Sequence, residues 1–127
     1  MDAIRFYTAS SFQNIQAVKH LNQCLVEKGY ELSYDWTQNG RASSLAELTV
    51  IGEEEMKGVR NADFLIVLLP GGKGSHIEMG MALGLRKRVY LFSPEDRVYE
   101  LDSTSTFYHV SLVSIYVGEL TDFIQTF

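Results

Sequence analysis

The chain holds a single cysteine, Cys24, and only two prolines in 127 residues. One thiol excludes an internal disulfide framework and a CxxC metal site, and Cys24 is expected to pack as a small apolar residue. No apolar run approaches the ~20 residues that a membrane-spanning helix needs. The opening "MDAIRFY" carries neither a signal-peptide nor a transit-peptide pattern, so a cytoplasmic location is expected. Positive charge is also scarce. Eleven Lys and Arg stand against sixteen Asp and Glu, the net charge is −5, and no basic run occurs. A nucleic-acid polymer is therefore excluded as a partner, because backbone binding requires clustered cations. The standard nucleotide signatures are missing too. "PGGKGS" (70–75) satisfies neither GxxxxGK[ST] nor GxGxxG. Neither a cofactor nor a metal is expected.

What is present is a regular alternation of elements. Apolar residues make up 46% and charged residues 21%, enough for one domain with a true core, taken as residues 1–127. "AIRFYT" (3–8) reads as a buried strand. Ile15, Val18, Leu21 and Leu25 recur at helical spacing ahead of Gly29, a C-cap candidate. "YELSY" (30–34) is a second strand, and "TQNGRASS" (37–44) a polar loop. Residues 45–62 form a second helix, with Leu48, Ile51, Glu55 and Val59 on one stripe. "DFLIVLL" (63–69) is the clearest strand, being short, apolar and unbroken, and Asp63 opens it or caps its turn. Helix 75–87, strand 88–92, an irregular stretch over 93–112 with a helical turn near "DRVYEL", strand 113–117 and a closing short helix complete the chain. Strands alternating with helices imply a parallel sheet covered on both faces. With right-handed crossovers, the expected fold is a flavodoxin-like, doubly wound α/β sheet of five strands in the order 2-1-3-4-5. In such a sheet, ligands bind beyond the carboxyl ends of strands 1 and 3, where the order reverses. That edge brings "YTASSF" (7–12) beside "PGGKGSHIE" (70–78).

Several residues at this edge carry two readings. Gly71, Gly72 and Gly74 form an ordinary strand-to-helix turn, or they let a ligand approach the backbone with an anionic group at the helix start. "SHIE" fits the capping box, with Ser75 as N-cap and Glu78 at N3. The helix dipole would then keep the Glu78 carboxylate ionised, which also suits a nucleophile or a stabiliser of positive charge. His76 is two residues from Glu78, so the two side chains diverge, and His76 is expected near the ligand rather than as a catalytic partner. Glu55 falls on an apolar stripe. It either snorkels from the margin or reaches a cavity and bonds a ligand hydroxyl. Ser10 or Ser11 could cap the first helix. Tyr7 either bonds a carboxylate across the switch point or belongs to the core. Trp36 either stacks on a base or fills the interior.

Taken together, "RFYTASSF", "YDWT" and "GVRNADFLIVLLPGGKGSHIEMGMALGLRKRVYLF" resemble the nucleoside 2-deoxyribosyltransferase family and the related deoxynucleoside 5′-monophosphate N-glycosidases. The most specific part is the strand opening with "AD", the Pro-Gly loop and "E-x-G-x-A" on the helix. The resemblance implies that Glu78 is the nucleophile that attacks the anomeric carbon of a deoxyribose and displaces the base. It implies that Tyr7 orients Glu78, and that Glu55 stands where related sequences often have a sugar-contacting Asp. Ser10, Trp36, Gly71, Gly72, Gly74, Ser75 and His76 are the further substrate-binding candidates. The sequence departs from some transferases at Gly71 and Gly72, where an Asp precedes the glutamate, so a proton donor for the leaving base is missing. The resemblance also implies a nucleoside or nucleotide partner and a homodimer or larger homo-oligomer. Two other classes share the layout: a Toll/interleukin-receptor-like NAD glycohydrolase, and a nucleotide-binding module without turnover.

Overall fold

The computed structural model describes residues 2–127; Met1, the first residue of the domain read from the sequence, lies outside them. Five parallel strands form one sheet in the order β2-β1-β3-β4-β5, as expected from the alternation of elements. The strands are β1 (Arg5–Ala9), β2 (Glu31–Leu32), β3 (Phe64–Leu68), β4 (Arg88–Ser93) and β5 (Val113–Val117). The helices are α1 (Ile15–Glu27), α2 (Leu45–Asn61), α3 (Lys73–Gly84) and α4 (Leu120–Gln125). Helix α1 packs with α4, and α2 with α3, so the sheet is covered by two helical layers. Short 3-10 turns at Trp36–Gln38, Asp96–Tyr99 and Thr106–His109 punctuate the loops.

The unbroken apolar run of β3 is buried at every position because both faces of the central strand are covered. The β2 strand is only two residues long against the five expected. It is an edge strand paired on one side alone, and Ser33 beyond it still reaches the Phe6 carbonyl. Asp63 opens β3 by accepting the Arg5 N–H at 2.8 Å, which sets the register of the two central strands. At the adjoining C-terminus of α2, the Lys87 ammonium donates to the carbonyls of Val59, Arg60 and Ala62, satisfying groups that the helix terminus leaves unpaired. Cys24 is half-buried against the core, with its sulfur 3.8 Å from His20 Nε2.

The stripe on α2 behaves differently along its length. Val59 is buried, whereas Leu48 is 55% exposed. A 17-residue helix is ~25 Å long, while a five-residue strand rises ~17 Å, so the helix outruns the sheet it covers. The overhang is the N-terminal half, since α2 runs back from the carboxyl edge. There the apolar stripe has no strand beneath it and lines a cavity instead.

Candidate active site

The carboxyl edge of β1 and β3 is built from two loops stitched together. Ser10 Oγ donates to the Leu68 carbonyl at 2.7 Å and accepts from Asn14 Nδ2, whose second contact is the Leu69 carbonyl. Ser11 Oγ donates to the Pro70 carbonyl at 3.1 Å. Neither serine caps α1 through its side chain, contrary to the expectation, because a 3-10 turn at Phe12–Asn14 intervenes before the helix begins. Their hydroxyls hold the loop after β1 against the loop after β3.

The start of α3 also differs from the capping-box reading. The helix begins at Lys73, with Gly72 as its N-cap, so Ser75 is the residue at N3. Ser75 is buried, accepts the Gly72 N–H at 2.7 Å and donates to the Gly72 carbonyl at 2.9 Å. Gly72 has no side chain to return the favour, so only half of a capping box forms. Gly71 must be glycine because a Cβ there would lie 2.5 Å from the Ser75 hydroxyl, whereas Gly72 and Gly74 would each tolerate one. Glu78 is therefore a full turn inside the helix, where capping offers no reason for its presence. It is 6% exposed and has to be explained by what it touches.

Glu78 touches Tyr7. The phenol is fully buried at the centre of β1 and donates to Glu78 Oε2, and Glu55 Oε2 lies 3.4 Å from the same oxygen. Three acidic groups from β1, α2 and α3 thus meet beneath the carboxyl edge. A phenol has one proton to donate, so two ionised carboxyls cannot both be satisfied by it. Burial is the main cause that pushes the Glu78 carboxyl up, to about 8; the Tyr7 hydrogen bond opposes the rise and the neighbouring Glu55 adds to it. Burial and the two carboxyls likewise push the Tyr7 phenol upward, so Tyr7 stays a donor. In place of the dipole-stabilised carboxylate expected from the first turn stands a buried carboxyl whose hold on its proton is strengthened by burial.

One residue that the sequence reading passed over makes this meeting possible. Gly58 sits one turn from Glu55 on α2, and a Cβ there would come within 2.7 Å of Tyr34 Cβ and 3.0 Å of the Tyr7 ring. Only glycine lets α2 lie close enough to β1 for Glu55 to reach the phenol. The sequence signal was weak, a lone glycine in an otherwise regular helix.

Glu55 also opens onto a cavity of about 470 Å³ under the α2 overhang. Trp36 forms one wall. It is buried, its Nε1 donates to the Thr8 carbonyl at 2.6 Å, and Phe12 meets its ring edge-on at 5.5 Å between centroids. Trp36 is therefore a core residue whose ring also forms a wall of this cavity. Leu48 and Ile51 from α2, with Asn39 and Arg41 from the loop after β2, complete the lining. Phe12, Asn39 and Arg41 were not singled out from the sequence, although the rule that the loops after β1 and β2 face the ligand would have found them.

A second cavity of about 310 Å³ lies on the far side of the glycine loop, beside the end of β4. His76 lines it together with Gly71, so it borders a different cavity from Glu55 and Trp36. The ring contacts the Gly72 carbonyl through Nδ1 at 2.8 Å and the Tyr108 hydroxyl through Nε2 at 2.7 Å, with the two rings stacked at 5.9 Å. Among the described residues, no cluster of His, Cys, Asp and Glu could hold a metal, and no helix is long and apolar enough to cross a membrane.

Comparison with known proteins bears on this geometry. Residues 6–116 match the family model described as nucleoside 2-deoxyribosyltransferase. The fold resembles that of a CMP N-glycosidase from Clostridium botulinum, with a TM-score of 0.67, 20% identity and 96% of each chain covered. It also resembles a 2-deoxyribosyltransferase from Bacillus psychrosaccharolyticus, with a TM-score of 0.66 and 21% identity over 94% of this chain and 90% of that one. A conserved protein from Enterococcus faecalis V583 has a TM-score of 0.64 at 17% identity, over 98% and 96% of the two chains. No curated protein matches the sequence significantly.

Proposed function

The chain belongs to the nucleoside 2-deoxyribosyltransferase family, and on that premise we propose that Glu78 attacks C1′ of a 2′-deoxynucleoside or its 5′-monophosphate. The observation that carries the reading is a buried glutamate with no structural task, joined through Tyr7 to a second carboxyl that faces a cavity with aromatic walls. In the first step a Glu78 carboxylate oxygen bonds to C1′ as the C1′–N bond breaks, and the bonding pair leaves with the base. In the second step water or another base bonds to C1′, gives up a proton, and releases Glu78. Positive charge grows on the sugar in both steps, and two carboxyls close by stabilise it. Covalent capture divides one difficult displacement into two, as in retaining glycosidases.

Each neighbour has a task in this scheme. Tyr7 fixes the orientation of the Glu78 carboxyl. Glu55 faces both the nucleophile and the cavity, so it is placed to contact the sugar, the role that the family resemblance implies. Trp36 and Phe12 flank the base. The backbone at Gly72 and the buried Ser75 are assigned to the other side of the sugar, whereas Gly71 and His76 border the second cavity. The chain is also expected to act as a homodimer or larger homo-oligomer, since α3 leaves Ile77 63% exposed; the molar mass in solution tests this. Neither the NAD glycohydrolase nor the silent binding module gains support from a Glu55–Tyr7–Glu78 arrangement.

The test supplies deoxyinosine with adenine and, separately, with uracil as acceptor, and NAD as a separate substrate, to the protein and to Glu78→Ala. Deoxyadenosine or deoxyuridine as product identifies a transferase, and free deoxyribose alone with both acceptors identifies a hydrolase. Turnover that survives in Glu78→Ala refutes the nucleophile. Release of nicotinamide but no nucleobase refutes the substrate class.

A further inference from the structure

The Glu55–Tyr7–Glu78 group serves the sugar and leaves the base side of the reaction without a partner. A base that departs from C1′ carries the bonding electron pair, and some group has to answer that charge. Gly71 and Gly72 offer no side chain for the purpose. In the cavity under the α2 overhang, Arg41 is the only cation among the lining residues, and Glu55 is the only anion. Among the described residues the one ion pair is Arg5–Glu31, away from this cavity, so Arg41, an exposed side chain, has, like every arginine but Arg5, no carboxylate partner. Its loop is held at one side by Asn39, whose amide exchanges hydrogen bonds with the Tyr34 hydroxyl at 2.9 and 3.2 Å. An unpaired guanidinium thus stands at the rim of a cavity that also has two aromatic walls.

We propose that Arg41 is a catalytic residue on the base side, and that the substrates are 2′-deoxynucleosides whose base bears an oxo group conjugated with the glycosidic nitrogen. This rests on the reading of Glu78 as nucleophile. As the Glu78 oxygen bonds to C1′, the C1′–N pair moves onto the base nitrogen and delocalises to the oxo oxygen. The guanidinium donates N–H groups to that oxygen and holds the anion. Arginine keeps its proton under all ordinary conditions, so the base leaves as an anion and takes its proton from water afterwards. The fixed charge is most effective in a cavity where water is displaced and the ring lies against Trp36 and Phe12. Oxopyrimidines and 6-oxopurines satisfy the requirement, and adenine does not.

The experiment measures kcat/KM for the wild type, Arg41→Ala and Arg41→Lys on deoxyuridine, deoxyinosine, deoxyadenosine and a series of 5-substituted deoxyuridines with increasingly acidic bases. For deoxyuridine and deoxyinosine, Arg41→Ala is expected to lower kcat/KM by about 10²-fold, the usual effect of removing a donor aimed at developing charge. The loss should shrink steadily as the leaving base becomes more acidic, because a good leaving group needs no help. Arg41→Lys should recover part of the loss, and any loss on deoxyadenosine should be smaller than the loss on deoxyinosine. A loss that is equal across the series, or no loss at all, overturns the proposal while Glu78→Ala remains inactive. Turnover in Glu78→Ala, or none by the wild type on any member, overturns the underlying reading and this proposal with it.

Discussion

Two cavities lie at the carboxyl edge of the sheet, one over β1 and β2 and one beside β4, and their volumes do not reveal which one holds chemistry. In the cavity beside β4 the hydroxyl and imidazole groups are hydrogen-bonded, while Glu95 and Arg97 at its border form no ion pair among the described residues. Ser93 Oγ donates to the Glu95 carbonyl at 2.6 Å, Ser103 Oγ donates to the Arg97 carbonyl at 3.1 Å, and His76 is engaged at both nitrogens. In the cavity under α2, Glu55 faces a phenol whose one proton already serves Glu78, and Arg41 has no carboxylate partner. What separates the second is buried: one phenol proton stands between two carboxyls, an unmet bonding capacity that costs stability and is the reason for assigning the proposed site to this side of the sheet edge.

The largest effect should come from the group at the centre of that unmet capacity. Glu78→Ala is expected to lower base release by on the order of 10³-fold or more, measured by chromatography of free base. The fold should survive, and stability should reveal the strain. The Glu78 carboxyl has a folded value of about 8 against an ordinary 4.5, so the native state holds the extra proton between those pH values. Stability therefore falls as pH rises through that window, and Glu78→Gln should remove the fall. A Tm that depends on pH equally in Glu78→Gln and the wild type would show that the carboxyl is not strained.

Next in size is the pH dependence. A nucleophile must be ionised, so kcat/KM should climb with pH until Glu78 has lost its proton near pH 8. The two neighbours should move this limb in opposite directions. Tyr7→Phe deletes the hydrogen bond that lowers the Glu78 value, so the limb moves to higher pH, with kcat/KM lowered by about 10²-fold at neutral pH. Glu55→Gln deletes the charge that raises it, so the limb moves to lower pH. If both variants shift the limb the same way, the three groups do not act as one unit.

Gly58→Ala sharpens the comparison by altering the approach of α2 without touching a carboxyl. Overpacking against Tyr7 and Tyr34 should reduce stability by roughly 1–3 kcal/mol and lower kcat more than it raises KM. A fall in stability alone, with kinetics intact, would show that Glu55 does not need the close approach. The smallest effect belongs to the other cavity. Tyr108→Phe should reduce stability by about 1 kcal/mol and leave kcat/KM and its pH profile unchanged. A large kinetic effect there would erase the distinction between the two cavities.

The fold was legible because its signals were local and repeated. Strand order followed from the alternation of elements, and the site edge followed from the point where that order reverses. Glu55 was legible as a charge on an apolar stripe, and its exposure to the cavity follows from α2 being longer than the strand it covers. The exact start of α3 was not legible. "SHIE" satisfies a capping pattern, but Ser75 Oγ can equally reach back to Gly72, and that choice depends on loops held together by Ser10 and Ser11. Gly58 was illegible for a related reason. Its importance lies in a distance to two tyrosines distant in sequence, which no periodicity records. Arg41 was hidden in a loop whose polar composition said only that it was a loop.

The overhang of α2 separates two kinds of heritable change. Its lower half is clamped between the sheet and α3 and carries Glu55 and Gly58, so on the proposed reading substitutions there disturb bond cleavage. Its upper half and the 39–42 loop border open space. Residues around Arg41 can be exchanged there without moving the acidic cluster. On the same reading, a lineage with this architecture can drift from one nucleobase to another while Glu55, Tyr7 and Glu78 stay fixed. Selectivity is therefore the trait that should diverge first among its descendants.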